Sequence, residues 1–395
     1  MAKSRVLFDA TGMDTSHRLR GIGRYVSGLL SGFSSLLDNS ETSEFELEVL
    51  RLSPQKKAHQ VFGKATVMKR IKREAGFFYW IENLLRLKHD LNRLTKGLHI
   101  YHSTEPYSMA PWLTKNMATI ATCHDLIPII LRGSYMGIKA RIYFRWARKA
   151  YREVSGIVAI SHAVKQSLMD HFSIPPEHIA VIYHGVESRF FENPGIKPPF
   201  AEHPYFLYAG GADKRKRLDL IMTAYARIQN DVPEHLVLCG SWPWTQKIRL
   251  LRMIKKLGIR DNVHILKHVT DKELIALYRS ATAFVFPSLY EGFGLPVLEA
   301  QAAGCPVITS RLSALPEVAR EAAVYLEGTD EEDNIVQLTA AMLKLSTDIQ
   351  GREELRTKGL VNAASFTWKK TASDTLAVYQ KVLQGDFPLD IQSER

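Results

Sequence analysis

"LYEGFGLPVLEA", residues 289–300, sets Glu291 and Glu299 eight positions apart, with Gly292, Phe293 and Gly294 after the first and Pro296 before the second. Pro296 suits the first turn of a helix, where its missing N–H costs nothing. Gly292 and Gly294 let the preceding loop turn sharply and let main chain approach a ligand closely. The wider stretch "AFVFPSLYEGFGLPVLEAQAAGCPVITS" (283–310) reads as strand, loop, helix, strand. The N–H groups of Gly294 and Leu295 then stand at a helix N-terminus, an anion site that suits a diphosphate. Glu299, one turn into the helix, is placed to accept two hydrogen bonds from a vicinal diol such as a ribose. Glu291, before the turn and across the phosphates, is placed to hold sugar hydroxyls or to face positive charge developing at a sugar carbon. Taken alone, the two carboxylates fit equally a partner for the helix dipole and a loop charge.

Outward from this stretch, short β-branched runs alternate with helix-like segments along the whole chain, the pattern of parallel sheets in an α/β protein. The first series is 6–10, 45–52, 98–103, 118–125, 156–161 and 179–185. "VESRFFENPGIKPPFAEHP" (186–204) follows, rich in Pro, Glu and Gly and without a period of 2 or 3.6, and reads as a linker. A second series is 205–211, 235–240, 263–268, 283–288 and 305–310. The expected domains are therefore 1–190 and 205–366 around a linker at 191–204, with an amphipathic helix over 367–385 opened by Thr367 as N-cap. Two such halves place a ligand at the carboxyl ends of strands, between them.

The chain has 395 residues and a net charge of +11. Residues 51–150 hold 19 Lys and Arg against 5 Asp and Glu. Within them, 64–94, and 132–154 just overlapping their end, interleave these cations with Phe, Tyr, Trp, Leu and Ile. Such a field attracts phosphates on a lipid-linked diphosphate, an anionic membrane or a nucleic acid, although no nucleic-acid motif accompanies it. No apolar run reaches the length of a membrane span, and the N-terminus lacks the apolar segment of a signal peptide. The expected location is cytoplasmic, peripheral at the inner membrane face. The three cysteines, Cys123, Cys239 and Cys305, have neither disulfide nor zinc spacing and read as small buried hydrophobes.

The glutamate stretch resembles the E-x7-E signature of retaining glycosyltransferases of family 4, which have the GT-B fold of two facing Rossmann-like domains. The resemblance covers nearly the whole chain and is strongest over 205–330. It implies that Arg215 and Lys216, in "YAGGADKRKRLDL", hold the donor diphosphate, as clustered cations at a strand's carboxyl end would. It places His124 against the donor sugar with Asp125 beside it. It gives Gly21 and Gly23, in "RGIGRYVSGLL", to the loop and helix start near donor phosphate and acceptor. Gly292, Phe293, Gly294, Leu295 and Glu299 complete the donor site, with the base near His268, Val269 and Thr270. Two departures stand out: Gly211 and Ala212 where many members carry an arginine, and Arg217 in place of a common asparagine.

What the resemblance implies is transfer of a hexose from a nucleotide sugar, of GDP-mannose or UDP-glucose type, to a hydroxyl of a saccharide or lipid-linked saccharide in polysaccharide biosynthesis. Configuration would be retained, through a front-face mechanism. With no D-x-D pair to hold a metal-bound diphosphate, metal independence is expected, and no cofactor. Two other classes compete. One is an NAD-dependent oxidoreductase: "GIGRYV" (21–26) imitates half a dinucleotide-binding G-x-G-x-x-G, but it lies beyond the strand's tight turn and has Val26 for the third glycine. A basic membrane- or nucleic-acid-binding protein without transferase activity is the other.

Overall fold

The short apolar runs become the strands of two parallel sheets. The computed structural model describes residues 3–14, 21–37, 44–50, 97–104, 117–131, 138–240, 242–267 and 269–386. The chain divides into one unit of Met1–Gly185 with Thr367–Arg395 and a second of Val186–Phe366. The first runs β1 (Ser4–Asp9), α1 (Gly21–Leu37), β2 (Phe45–Leu50), β3 (Ile100–Ser103), β4 (Ala118–Cys123), α2 (Ile127–Ile130), α3 (Ile138–Glu153), β5 (Gly156–Ala159), α4 (His162–Phe172) and β6 (Ile179–Val181). The second opens with β7 (Tyr205–Ala209), α5 (Leu218–Ile228), β8 (His235–Cys239), α6 (Trp244–Leu257), β9 (Val263–Leu266) and α7 (Asp271–Ser280). It continues with β10 (Ala283–Phe286), α8 (Leu295–Ala302), β11 (Val307–Ser310), α9 (Leu315–Ala319), β12 (Val324–Leu326), α10 (Glu331–Thr347) and α11 (Ile349–Ala364). The last helix, α12 (Trp368–Gln384), belongs to the first unit.

Strand order is β2-β1-β3-β4-β5-β6 in the first sheet and β12-β11-β10-β7-β8-β9 in the second. Every pairing is parallel, for example Phe8 beside Val49 and Phe284 beside Val307. Most strands stop sooner than the apolar runs do: β4 ends at Cys123, before His124 and Asp125, and β6 at Val181. β12 escaped the sequence reading because three edge residues, two of them only half-buried, carry almost no alternation.

In the first unit, Phe8, Val26, Leu29, Phe33, Ile100, Ile120 and Val158 form the core together with Ala372, Val378 and Tyr379 of α12. Two glycines permit that packing. A Cβ on Gly28 would lie 2.1 Å from Trp368 Cε2, and one on Gly32 would lie 2.2 Å from Trp368 O. Only hydrogen at both positions lets the helices meet this closely. Thr367 caps α12 by accepting from Lys370 N at 3.1 Å. "GIGRYV" forms the opening turns of α1 rather than a strand-to-helix turn, so its likeness to a dinucleotide fingerprint is superficial.

The three cysteines are free and buried. Among the described residues no helix is long and apolar enough to cross a membrane. The whole of the basic segment 64–94, and residues 132–137 of the other, lie outside the described residues, as does His268.

Candidate functional site

In the second sheet the strand order reverses between β7 and β10. Ligands of open α/β sheets bind where the carboxyl ends of strands diverge at such a reversal. From β7 the chain passes through Gly210 and Gly211 into a single 3-10 turn, Lys214–Lys216. From β10 it passes through Ser288 and Glu291 into α8. Topology alone therefore brings the two cations and the first glutamate together.

Their contact is direct. Arg215 Nη1 lies 2.6 Å from Glu291 Oε1 and donates to Tyr290 O at 2.9 Å. Lys216 Nζ lies 3.6 Å from the same carboxylate oxygen and 4.9 Å from the centroid of the Phe286 ring. Ser288 Oγ donates to Glu291 Oε1 at 2.7 Å. The loops are also stitched by main chain, Leu289 N donating to Arg215 O at 2.7 Å. The side chains of Arg215, Lys216 and Glu291 are 12–13% exposed. Burial pushes the Glu291 carboxyl up, but Lys216, Arg215 and Ser288 outweigh it and hold it below the ordinary carboxylate value. The sequence reading set Glu291 before the turn and across the phosphates, and its direct contact with both cations is an addition from the structure. Opposite charges this sheltered from water pair with each other.

α8 begins as its sequence requires. Gly294 has φ +107°, and a Cβ there would come within 2.9 Å of Leu315 Cδ2, so both backbone and space demand glycine. Among the described residues no acceptor takes the N–H of Gly294 or Leu295, and Pro296 has none to satisfy. Glu299 is buried one turn in, 4% exposed. The Phe293 ring packs edge-to-face on Phe366, centroids 6.1 Å apart.

Four residues that the sequence reading missed shape this site. Ser288 bonds Glu291 as above. Ser313 Oγ accepts from Glu291 N at 3.2 Å and donates to Glu291 O at 2.6 Å, clasping its main chain from both sides. The Tyr208 hydroxyl donates to Gly211 O, and Trp242 Nε1 donates to Gly210 O at 3.0 Å, fixing the glycine loop. No motif announces them: Ser313, Tyr208 and Trp242 act on main chain and so tolerate many neighbours, and Ser288 is a single hydroxyl beside its glutamate. Arg217 takes a left-handed conformation, φ 52°, at the N-cap of α5. Asparagine, which the family resemblance leads one to expect there, enters that region more readily. Val269 lies in the loop between β9 and α7, with Thr270 and Glu273 forming a capping box.

The remaining candidates belong to the first unit. Gly21 is the first residue of α1 and Gly23 is buried in the same turn. His124 follows β4, with Nε2 3.0 Å from Thr104 O; the carbonyl accepts, so Nε2 carries the proton. The Tyr25 ring meets His124 edge-on at 4.9 Å. Asp125 Oδ1 accepts from Ile127 N at 2.9 Å, just before α2.

Known proteins resemble this chain in sequence and fold. Residues 190–359 match the family described as Glycosyl transferases group 1, and residues 41–190 match Glycosyltransferase Family 4. The O-antigen chain mannosyltransferase B of Escherichia coli is 32% identical over 292 residues, covering 71% of this chain and 74% of that protein. The chain belongs to the family 4 glycosyltransferases, and its two parallel-sheet units have the GT-B fold. The serotype-specific mannosyltransferase WbdA of Escherichia coli is 27% identical over 302 residues, which are 73% of this chain. The chain spans only 36% of that relative's length. Among solved structures, Anabaena HepE in complex with UDP-glucose matches with a TM-score of 0.72 at 14% identity, over 95% of this chain and 99% of that one.

Proposed function

We propose that this chain transfers a hexosyl group from a nucleoside-diphosphate sugar to a hydroxyl of a saccharide or lipid-linked saccharide in polysaccharide biosynthesis, with retention of configuration and without a metal. The observation that carries the proposal is the meeting of Arg215 and Lys216 at the β7–β10 reversal, beside the unpaired N–H groups at the start of α8. Two cations and a helix N-terminus supply the positive charge that a departing diphosphate needs. They supply it without a divalent ion.

In the step proposed, the bond from the anomeric carbon to the phosphate oxygen breaks. The acceptor oxygen bonds that carbon on the same face, and its proton passes to the departing phosphate oxygen. Arg215 and Lys216 stabilise the leaving group. Glu291 aligns both cations and faces the donor sugar, Glu299 takes the ribose diol, and His124 takes a sugar hydroxyl. Mannose carried on GDP is the favoured donor, a reading supported by the mannosyltransferase names of the relatives. The proposed location is cytoplasmic, at the inner membrane face.

A thermal-shift panel with GDP, UDP and their hexose conjugates tests this. A ligand at 100 times its dissociation constant adds about 2.7 kcal/mol, enough to raise the midpoint by several degrees. A shift with GDP and GDP-mannose, followed by transfer that survives EDTA, is expected. A shift with UDP and its hexoses alone would overturn the donor, transfer abolished by EDTA and restored by Mn²⁺ would overturn metal independence, and no shift with any nucleotide would overturn the class of reaction.

A further inference from the structure

Helix α6 carries a face that the donor site does not use. Its fourteen residues, "WTQKIRLLRMIKKL", include Lys247, Arg249, Arg252, Lys255 and Lys256 and no acid. Leu250 and Ile254 are buried against the unit and fix which way the helix turns. About a quarter-turn round the helix from them lie Trp244, 72% exposed, and Leu251, 47% exposed, with half-buried Ile248 between them. Positions 244, 248 and 251 are spaced i, i+4, i+7, so they form one apolar stripe along the outside. At 100° per residue, Lys247 falls on one flank of the stripe, Lys255 on its line, and Arg252 and Lys256 on the other flank.

Exposed large apolar side chains occur elsewhere, for example Ile349 and Val361 at 71% each. On their helix, α11, cations alternate with Glu353 and Glu354. Only α6, among the described helices with such residues, pairs an exposed tryptophan with cations alone. One acid outside the helix, Asp219, reaches it, 4.0 Å from Arg249 at the edge of the face. Lys247 meanwhile sits against Lys267 of the following strand's end, whose hydrogen bond and like charge draw its ammonium below the usual lysine value.

We propose that this face of α6 lies in the interface of an anionic phospholipid membrane. Trp244, Ile248 and Leu251 enter the boundary between headgroups and acyl chains, while Lys247, Arg252, Lys255 and Lys256 reach lipid phosphates. The chemistry fits lipid better than protein. A helix of this length is roughly 21 Å long, so one face falls well short of the roughly 800 Å² a partner contributes to a stable protein interface. Lysine, which protein interfaces disfavour at their centre, here flanks the apolar stripe, where its long stem can lie along lipid and its charge can reach the headgroups. This inference stands apart from the proposed reaction, because no residue of the face belongs to the donor site.

Vesicles of phosphatidylcholine with about 30% phosphatidylglycerol test it on the full chain. Brominated phosphatidylcholine in those vesicles should quench wild-type tryptophan fluorescence more than that of Trp244→Phe. Replacing Trp244 and Leu251 by serine should lower flotation with anionic vesicles by about tenfold. Both side chains are exposed, so the melting temperature should hold. Equal quenching of wild type and Trp244→Phe would overturn the proposal, as would a double serine variant that floats like wild type; any membrane affinity would then belong to residues elsewhere, such as 64–94. Capture of an acidic protein without bromine quenching would overturn it too.

Discussion

The two units put different chemistry behind similar sheets. The first buries a chain of neutral groups: Tyr379 Oη lies 2.6 Å from His102 Nδ1, His102 Nε2 lies 2.8 Å from Thr122 Oγ1, and Thr122 Oγ1 lies 2.9 Å from Tyr25 Oη. Burial, with His124 nearby, lowers the His102 pKa to about 3, so the imidazole is neutral throughout the physiological range. The second unit instead gathers formal charges, Arg215, Lys216 and Glu291, close to its surface. A closed neutral chain leaves a ligand nothing to bind and ties α12 to the sheet. A charged cluster whose cations outnumber its carboxylates still has charge to offer. Stability should therefore be the main quantity at stake in the first, and turnover in the second.

The largest expected effect comes from the charged cluster. Arg215→Ala should lower transfer by about 10²–10³-fold, the usual scale for losing a group that stabilises charge in the transition state. Glu291→Gln keeps the shape and the bond from Ser288 while removing the charge, and should fall in the same range. Turnover at saturating donor, with circular dichroism to confirm the fold, measures both. A Glu291→Gln enzyme with near-normal turnover would dissolve the contrast, since the cluster would then be a structural ion pair.

Next in size is the helix seam of the first unit. Gly32→Leu would drive a side chain into the backbone of Trp368, and overpacking of this kind costs about 3 kcal/mol. Tyr379→Phe leaves a buried His102 nitrogen without its partner, a loss of about 1–3 kcal/mol. Urea melts followed by the transition of the first unit should show both losses, with donor-induced stabilisation of the second unit intact. A Tyr379→Phe protein of unchanged midpoint would mean the chain is incidental.

Acid should separate the units further. The folded pKa of His102 lies below its unfolded value of about 6.5. Its contribution is thus whole above about pH 6.5 and is lost as pH falls toward 3, about 2 kcal/mol of it by pH 5. Glu291 is also depressed, but a carboxylate's contribution is whole above its unfolded value of about 4.3 and is lost only below that. Between pH 6.5 and 5 the histidines act alone. His235 and His264, hydrogen-bonded at 2.7 Å in the second unit, have lowered values as well, so the slope for the whole chain is not diagnostic. The difference between wild type and His102→Gln is: the variant should lose less stability over that interval, and parallel curves would contradict a neutral buried His102.

How far the sequence led depended on whether a feature is written in residue types or in space. The two strand series and the helix start at Pro296 were legible because apolar period, proline and glycine act locally. Arg215, Lys216 and Glu291 were legible as a motif, but their mutual contact was not, since it follows from the order in which β7 and β10 lie side by side. The histidine chain was invisible for the same reason. Tyr379 and His102 are 277 positions apart, and nothing in a tyrosine on an amphipathic helix distinguishes it from an ordinary core residue.

The smallest effect expected is also the sharpest, because it involves a residue that touches the main chain of Glu291 and none of the cations. Ser313 sits at φ 56°, a conformation that glycine adopts freely and serine does not. Strain of this kind persists only where the surroundings hold it, and here the hydroxyl bonds both Glu291 N and Glu291 O. Replacing Ser313 by glycine removes the clasp and the strain together, whereas alanine removes the clasp and keeps the strain. If the clasp only supports the fold, glycine should be nearly neutral in the melt and in turnover. If it positions the carboxylate, glycine should hold the midpoint yet lower turnover several-fold, by about 1 kcal/mol in the barrier, with the affinity for the free nucleoside diphosphate unchanged. We expect the second outcome. A glycine variant with full turnover would confine the contrast between the units to Arg215, Lys216 and Glu291 themselves.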